Sequence, residues 1–205
     1  MLTYKKIISY ILFGIFILGG YAGKSYYIHR LYQEDIATKV LRFHVLANSD
    51  SDADQSLKLK VRDAIGSYMA PKVKDATSVE ECEEIVRAAI PEIVDTAEAV
   101  IEKEGYDYSV TASLGKVDFP VKTYGAYTFP KGAYEALNVT IGEGKGHNWW
   151  CVMYPNMCFS GSAYEIVDEE AEESLKRALT PEEYESLMEE KNYEIRFRYL
   201  SFLNQ

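Results

Sequence analysis

The sequence predicts an α+β fold: a single mixed domain with a small sheet, packed helices and an acidic helical C-terminal region, preceded by an N-terminal hydrophobic helix. Strand-like and helix-like segments follow each other without the regular alternation that is typical of parallel α/β folds. Hydrophobic residues make up 47% of the 205-residue chain, which is enough for a core and excludes intrinsic disorder. The roughly 180 residues after the hydrophobic segment have the length of one domain.

The N-terminal segment has the pattern of an export signal. Lys5 and Lys6 precede an uncharged run over residues 7–23, and the small residues Gly20 and Ala22 offer a cleavage site after Ala22. A retained membrane anchor is the alternative, although this run would span only about 25 Å of a hydrocarbon core that is roughly 30 Å thick.

Three regions follow from this pattern. Residues 1–23 are expected to be a signal peptide or membrane anchor, residues 24–39 a polar, partly helical stalk, and residues 40–205 an extracytoplasmic domain. The protein would then be either secreted or anchored with its domain outside the cytoplasm.

The first strand and the first helix of the domain follow each other directly. Residues 40–47 are short, apolar and rich in β-formers, which predicts a strand. The polar run 48–55 then begins a helix, with either Ser51–Asp54 or Asp52–Gln55 as its capping box. Apolar residues at helical spacing continue to Pro71, where we expect the helix to end.

A second helical stretch begins at Ser78, with Glu81 as its capping partner. Its apolar stripe continues to Ile101, and Pro91 within the stripe predicts a kink or a division into two helices. Gly105 is expected to end the stretch, because glycine readily adopts the left-handed conformation found after many helices.

The middle of the chain alternates between apolar and polar residues and predicts strands. These strands cover residues 106–114, 117–127 and 133–141, with a turn at Gly115-Lys116 between the first two. Residues 142–148 carry three glycines and predict a flexible loop.

The C-terminal region is strongly acidic. Thr180 as a cap, Pro181 at the first helical position and two acids in the first turn predict the start of a helix. Two short helices with solvated acidic faces are expected between residues 168 and 191, followed by a strand at 194–199.

Net charge limits the class of partner. The chain carries a formal charge of −10, and loss of Lys5 and Lys6 with the hydrophobic segment would lower it to −12. Nucleic acids and anionic lipid surfaces both attract basic faces. Neither is expected to be the main partner.

The three cysteines fall into two groups. Cys151 and Cys158 flank a turn at residues 154–156, so a small closed loop is geometrically reasonable, and in an exported protein this pair predicts a disulfide. Two buried free thiols are the alternative. Cys82 lies on an apolar helical face and is expected to be an inert core residue.

No motif predicts a cofactor or a catalytic group. The glycines of residues 142–146 lack the spacing of a phosphate-binding loop. Asp50, Asp52 and Asp54 resemble the start of a calcium loop, but the later positions lack the glycine and glutamate of an EF-hand. Helix capping is the simpler interpretation, with a weak calcium site as the alternative. His44 alternates with apolar residues and is expected to be half-buried and structural.

Three blocks of the sequence resemble the stage II sporulation protein R family. The first runs from Arg42 to Ala64 and contains Arg-Phe-His-Val-Leu-Ala-Asn-Ser-Asp. The second runs from Tyr124 to Leu137 and contains Tyr-Gly-x-Tyr-Thr-Phe-Pro. The third runs from Ile141 to Phe159 and contains Gly-x-Gly-x-Gly-x-Asn-Trp-Trp-Cys-Val. The blocks stand in the family's order behind an export segment, and the similarity covers residues 40–159.

This resemblance implies a role in communication between two compartments of a sporulating cell. Members of the family are made in the forespore and exported into the intermembrane space, toward the mother cell. There they activate a membrane-embedded aspartic protease, which cleaves the precursor of the mother-cell sigma factor. The chain would therefore be an activator and not an enzyme, with the catalytic aspartates in its partner.

The turn that follows the first strand is the predicted partner-binding surface, because a strand-to-helix turn is rigid and exposed. The candidate partner-binding residues are His44, Asn48, Ser49, Asp50 and Asp54.

Two other functions stay open at this point. One is an exported hydrolase of cell wall or protein, which would use His44 with Asp50 or His147 with nearby acids. The other is a structural wall-binding protein whose surface is the tyrosine-rich region.

Overall fold

The computed structural model describes residues 2–157 and 169–188 of the chain. Six helices and six strands lie within these ranges. The helices are α1 (Leu2–Thr38), α2 (Asp52–Val73), α3 (Val79–Ala88), α4 (Ile90–Lys103), α5 (Glu169–Ala178) and α6 (Pro181–Met188). The strands are β1 (Leu41–Leu46), β2 (Val110–Phe119), β3 (Lys122–Tyr124), β4 (Tyr127–Phe129), β5 (Gly132–Ile141) and β6 (Asn148–Tyr154).

The strands form one mixed sheet and one separate hairpin. The four-stranded sheet has the order β2-β5-β1-β6. Strand β1 runs parallel to β5 and antiparallel to β6, while β2 runs antiparallel to β5. Strands β3 and β4 form a two-stranded sheet of their own. A mixed sheet packed with helices confirms the predicted α+β class.

Strand β1 is buried on both faces. Its side chains alternate, so that Phe43 and Val45 belong to one hydrophobic core while Arg42 and His44 contact the aromatic residues of the other. A central strand with both faces covered has no solvent-facing positions, which explains why residues 40–47 form an almost continuous apolar run.

Helices α2, α3 and α4 cover the first face of the sheet. Their apolar stripes bury Val61, Ile65, Val86 and Ile93 against β1 and β5. Cys82 lies in this core, fully buried, as predicted. Burial raises the pKa of its thiol to about 12, since the thiolate would have to form without water.

The second face is covered by the end of α1, the β3–β4 hairpin and helices α5 and α6. Its core contains Ile36, Phe129, Tyr134 and Leu175. Two distant parts of the chain, the end of α1 and the α5–α6 pair, therefore meet over one face of the sheet.

Helix α1 continues without a break through the predicted signal or anchor segment and the predicted stalk. Its last turns belong to the second core, where Ile36 is 1% exposed. Just after the helix, Lys39 Nζ lies 2.7 Å from Glu183 Oε1 of α6 and 3.0 Å from Asp35 Oδ2. Across the described residues, none of the helices has both the length and the apolar character needed to cross a membrane.

Several local predictions are confirmed. Ser51 is the N-cap of α2 and accepts a hydrogen bond from the Asp54 backbone N–H, and Ser78 caps α3 in the same way. Pro91 lies in the first turn of α4 and separates it from α3. Gly105 follows α4 with a φ of +83°, the left-handed conformation expected there.

Two predicted boundaries are wrong. Pro71 does not end α2, which continues to Val73. The lost N–H bond and the crowding of the proline ring against the preceding turn both fall in the last turn, where they do not stop the helix from continuing for two residues. Gly115 and Lys116 do not form a turn, because Gly115 pairs with Ala136 and the β2–β5 ladder continues to Phe119.

The acidic C-terminal helices are present, but their acids are not all solvated. Glu183 is 1% exposed and accepts from Lys39 Nζ and from the Thr180 backbone N–H. The prediction is wrong for Glu183 because its partner, the half-buried Lys39, lies 144 positions earlier in the chain. The predicted strand at 194–199 lies outside the described residues.

Candidate functional site

Two loops meet at one edge of the sheet. Strands β1 and β5 are parallel neighbours, so their carboxyl ends lie at the same edge. The segments that follow them, Asn48–Asp54 and Gly142–His147, therefore come together although about ninety residues separate them. We call these two segments the apex.

Asn48 joins the two segments of the apex. Its side-chain oxygen accepts from the Glu143 backbone N–H at 2.9 Å, and its own carbonyl oxygen accepts from the Lys145 N–H at 3.0 Å. Its side-chain amide donates to Asp54 Oδ2 at 2.9 Å. These three hydrogen bonds use the polar groups of Asn48 within the apex, so the residue has little capacity left to bind a partner.

Asp54 is the buried acid at the base of the apex. It is 4% exposed, and the Ser49 hydroxyl donates to its Oδ2 at 2.5 Å. Hydrogen bonds from Ser49 and then from Asn48 hold the pKa of Asp54 below its ordinary value of 3.8, although burial acts in the opposite direction. Asp54 and Ser49 therefore hold the apex together, a structural role beyond the helix capping that the sequence predicted for Asp54.

This network predicts a pH dependence of stability. Because the folded-state pKa of Asp54 is depressed, its contribution is fully present above pH 3.8 and is lost as pH falls through the folded-state pKa. We expect Asp54→Asn to lower the free energy of unfolding by roughly 1–2 kcal/mol at pH 7. The difference in unfolding free energy between the variant and the wild type should disappear at acidic pH. Urea unfolding between pH 7 and pH 2.5 measures it, and a gap that stays constant would contradict the assignment.

The three glycines of the apex are needed for close approach. A Cβ atom on Gly142 would overlap the Asn48 side-chain oxygen, and one on Gly146 would overlap the backbone carbonyl of Ser49. Gly142 and Gly144 also have positive φ values of +57° and +60°. The alternating glycines therefore form a packed loop and not the flexible loop that the sequence predicted.

Asp50 and His147 form the exposed part of the apex. Asp50 Oδ1 accepts from the His147 backbone N–H at 2.6 Å and also contacts the imidazole Nδ1. The two side chains are 54% and 78% exposed, respectively. Together they present an acid and an imidazole to solvent on an otherwise rigid base.

Lys58 lies beneath this pair. Its ammonium group donates to the His147 carbonyl oxygen at 3.0 Å and to Gln55 Oε1 at 2.6 Å, and the residue is 5% exposed. Burial lowers the pKa of Lys58, with a further contribution from Arg62. Sequence reasoning missed this lysine, because nothing in an amphipathic helix distinguishes one lysine that reaches a loop carbonyl.

His44 does not belong to the apex. It lies within β1 on the second face of the sheet and is 5% exposed. Its Nδ1 is 3.1 Å from Asn148 Oδ1, and its ring stacks on that of Trp150 with 4.9 Å between centroids. Burial lowers its pKa, because the charged imidazolium would lose its contact with water. The structure therefore separates His44 from the other four candidate residues.

Neither a metal site nor the disulfide is established at this point. Over residues 2–157 and 169–188, three or more His, Cys, Asp or Glu side chains do not come together in a way that could hold a metal ion. Cys158 lies outside the described residues, so its pairing with Cys151 stays a prediction.

Comparisons with known proteins identify the family. The family model for stage II sporulation protein R matches residues 37–164. A relative, stage II sporulation protein R of Bacillus subtilis (strain 168), is 45% identical over 124 residues, which are 60% of this chain and 55% of the relative. The match thus spans little more than half the length of that relative. No solved structure matches the chain. The matched residues include both segments of the apex, and the chain belongs to the stage II sporulation protein R family.

Proposed function

We propose that this protein is an exported sporulation signal that activates a membrane-embedded aspartic protease in the neighbouring compartment. The activated protease then cleaves the precursor of the mother-cell sigma factor. In this proposal the catalytic aspartates belong to the protease, and the chain contributes only a binding surface. Membership of a sporulation family and the basic, apolar N-terminus support the proposal.

The apex is the observation that carries the proposal. Its exposed acid and imidazole stand on a base that is fixed by Asn48, Asp54 and three tightly packed glycines. An activator works by binding the active arrangement of its partner more tightly than the inactive one. A preformed surface suits this task because little conformational entropy is lost when it binds.

Reconstitution in a non-sporulating bacterium tests the proposed function. The protease and the sigma precursor are co-expressed with and without the full chain, and processing is followed on immunoblots. We expect the processed form only when all three proteins are present. Processing without the chain, or none with it, would overturn the proposal. A catalytically dead protease with its active-site aspartate replaced serves as the control.

Replacement of Asp50 and His147 separates recognition from stability. We expect Asp50→Ala combined with His147→Ala to reduce processing strongly, while the melting temperature changes by only a few degrees, because both side chains are exposed. The matched control removes another exposed ion pair, Lys60 and Glu104, by the same two alanine substitutions. If processing falls only in proportion to the amount of folded protein in both variants, the apex has no role in recognition.

One observation favours a second function, an exported hydrolase. The hydrogen bond between Asp50 and the His147 ring resembles a general base that is oriented by a carboxylate. A catalytic base would make His147→Gln lose about 10²–10⁴-fold in turnover of a wall or peptide substrate by the purified protein. Turnover of that kind without the protease would favour the hydrolase over the activator.

A further inference from the structure

Arg42 lies inside a box of aromatic rings on the second face of the sheet. It is fully buried, with 0% of its surface exposed. The guanidinium carbon is 4.4 Å from the centroid of Phe119, 4.9 Å from that of Tyr134, 5.2 Å from that of Phe129 and 5.7 Å from that of Tyr124. A charged group is thus held among four rings, away from water.

The rings do not satisfy the hydrogen-bonding groups of Arg42. Nη2 donates to the Tyr124 hydroxyl at 3.1 Å, but Nε and Nη1, which carry three N–H groups, have no acceptor within the described chain. The ion pairs of the described residues do not include Arg42. Buried charges in proteins are normally paired. Among the described residues this guanidinium has the Tyr124 hydroxyl and the faces of four rings, but no anionic partner.

The β3–β4 hairpin forms one wall of the box. Tyr124 and Phe129 contribute two of the four rings. Strands β3 and β4 have no ladder with the four-stranded sheet, and the Tyr124 hydroxyl reaches that sheet through its hydrogen bond from Arg42. A hydroxyl contact of 2.8 Å between Tyr127 and Tyr184 ties the hairpin to α6. Displacing the hairpin would therefore break the Tyr124 and Tyr127 hydroxyl contacts and uncover Phe129, but it would break no strand ladder of the main sheet.

We propose that Arg42 is the receptor for a side-chain carboxylate of a partner protein and that the β3–β4 hairpin is the cover that admits it. One guanidinium balances the single charge of a carboxylate, and arginine N–H groups form strong charge-assisted hydrogen bonds with carboxylate oxygens. Opening would also bring arginine and tyrosine to the surface together, and these residue types dominate the energetics of protein interfaces. This site lies on the second face of the sheet and is separate from the proposed role of the apex.

Chemical modification of arginine tests whether the cover opens. The full chain is treated with phenylglyoxal, and the rate at Arg42 is measured by peptide mass spectrometry with the exposed Arg87 as an internal reference. Tyr184→Phe removes the hydroxyl contact to Tyr127 that ties the hairpin to α6, together with a hydrogen bond to Glu172 within the α5–α6 pair. We expect it to accelerate modification of Arg42 about fivefold, the effect of losing the one hydrogen bond that reaches the hairpin. Tyr154→Phe is the matched control, since that hydroxyl donates to Thr77 on the first face of the sheet.

Competition identifies the ligand class. In the Tyr184→Phe protein, acetate should slow modification of Arg42, while chloride at equal ionic strength should not. A short peptide that contains glutamate should protect at lower concentration than acetate, and its glutamine counterpart should not protect. Equal protection by phosphate would overturn the choice of a carboxylate. If Arg42 is modified in all variants no faster than the amides of β1 exchange with solvent, it becomes accessible only when the sheet unfolds. That result would overturn the proposal that the hairpin opens.

Discussion

Removal of residues 1–22 is expected to abolish processing of the sigma precursor in the reconstituted system. The domain would stay in the cytoplasm, and a charged domain of roughly 180 residues does not cross a bilayer unaided, because each buried charge carries a large desolvation cost. In the proposed function the folded domain is the signal, so replacing the same residues with an unrelated cleavable signal peptide should restore processing to nearly the original level.

Immunoblots of fractionated cells measure this result. The cytoplasmic form must be as abundant and as resistant to protease as the exported form, so that loss of processing reflects location and not degradation. Full processing by the cytoplasmic form would refute export as the route of signalling. If the replacement signal supports export but not processing, the native hydrophobic segment contributes to activation as well as to export.

Among alanine substitutions of the apex glycines, Gly146→Ala is expected to lower the free energy of unfolding most. The new Cβ would overlap the carbonyl oxygen of Ser49, and a backbone atom cannot move aside without shifting the turn. We expect a loss of about 1–3 kcal/mol in the free energy of unfolding, as for other overpacked sites. Processing should fall further than stability alone explains, because Asp50 and His147 would separate.

Gly115→Ala is the matched control. A Cβ atom at Gly115 meets nothing within 4 Å, and the residue lies in the regular part of β2. Alanine there should be neutral or stabilise by roughly 0.5 kcal/mol, since glycine is costly inside a strand. Urea unfolding of the two variants measures the difference. Equal changes in the free energy of unfolding for the two variants would show that the close approach at Gly146 does not require glycine.

Local sequence signals predicted the local structure well. Ser51, Ser78 and Pro91 act within three or four residues of themselves, so their effects could be inferred from sequence spacing alone. Strand β1 was predicted because an apolar run of β-formers is a strong signal. The family itself was predicted from three blocks of residues, and the structure now shows that the first and third of these supply the two segments of the apex.

Long-range contacts account for the failures. Asn48 contacts Glu143 across 95 positions, and Lys39 contacts Glu183 across 144, so no spacing rule could connect them. The glycines at 142–146 were interpreted as a source of flexibility because their backbone neighbour was unknown. Likewise, Gly115 predicts a turn in the sequence because glycine alone does not reveal that a ten-residue strand lies beside it.

The junction between Lys39 and Glu183 also determines how far the protein can be shortened from its N-terminus. A form that began at Val40, the first residue of the predicted domain, would lose Ile36 from the second core and leave the Glu183 carboxylate buried without its cation. Because Lys39 is itself 29% exposed and Glu183 keeps its bond from the Thr180 N–H, we expect a loss of roughly 1–3 kcal/mol from this carboxylate. The smallest stable version of this protein therefore has to begin before Asp35, within the last turns of α1.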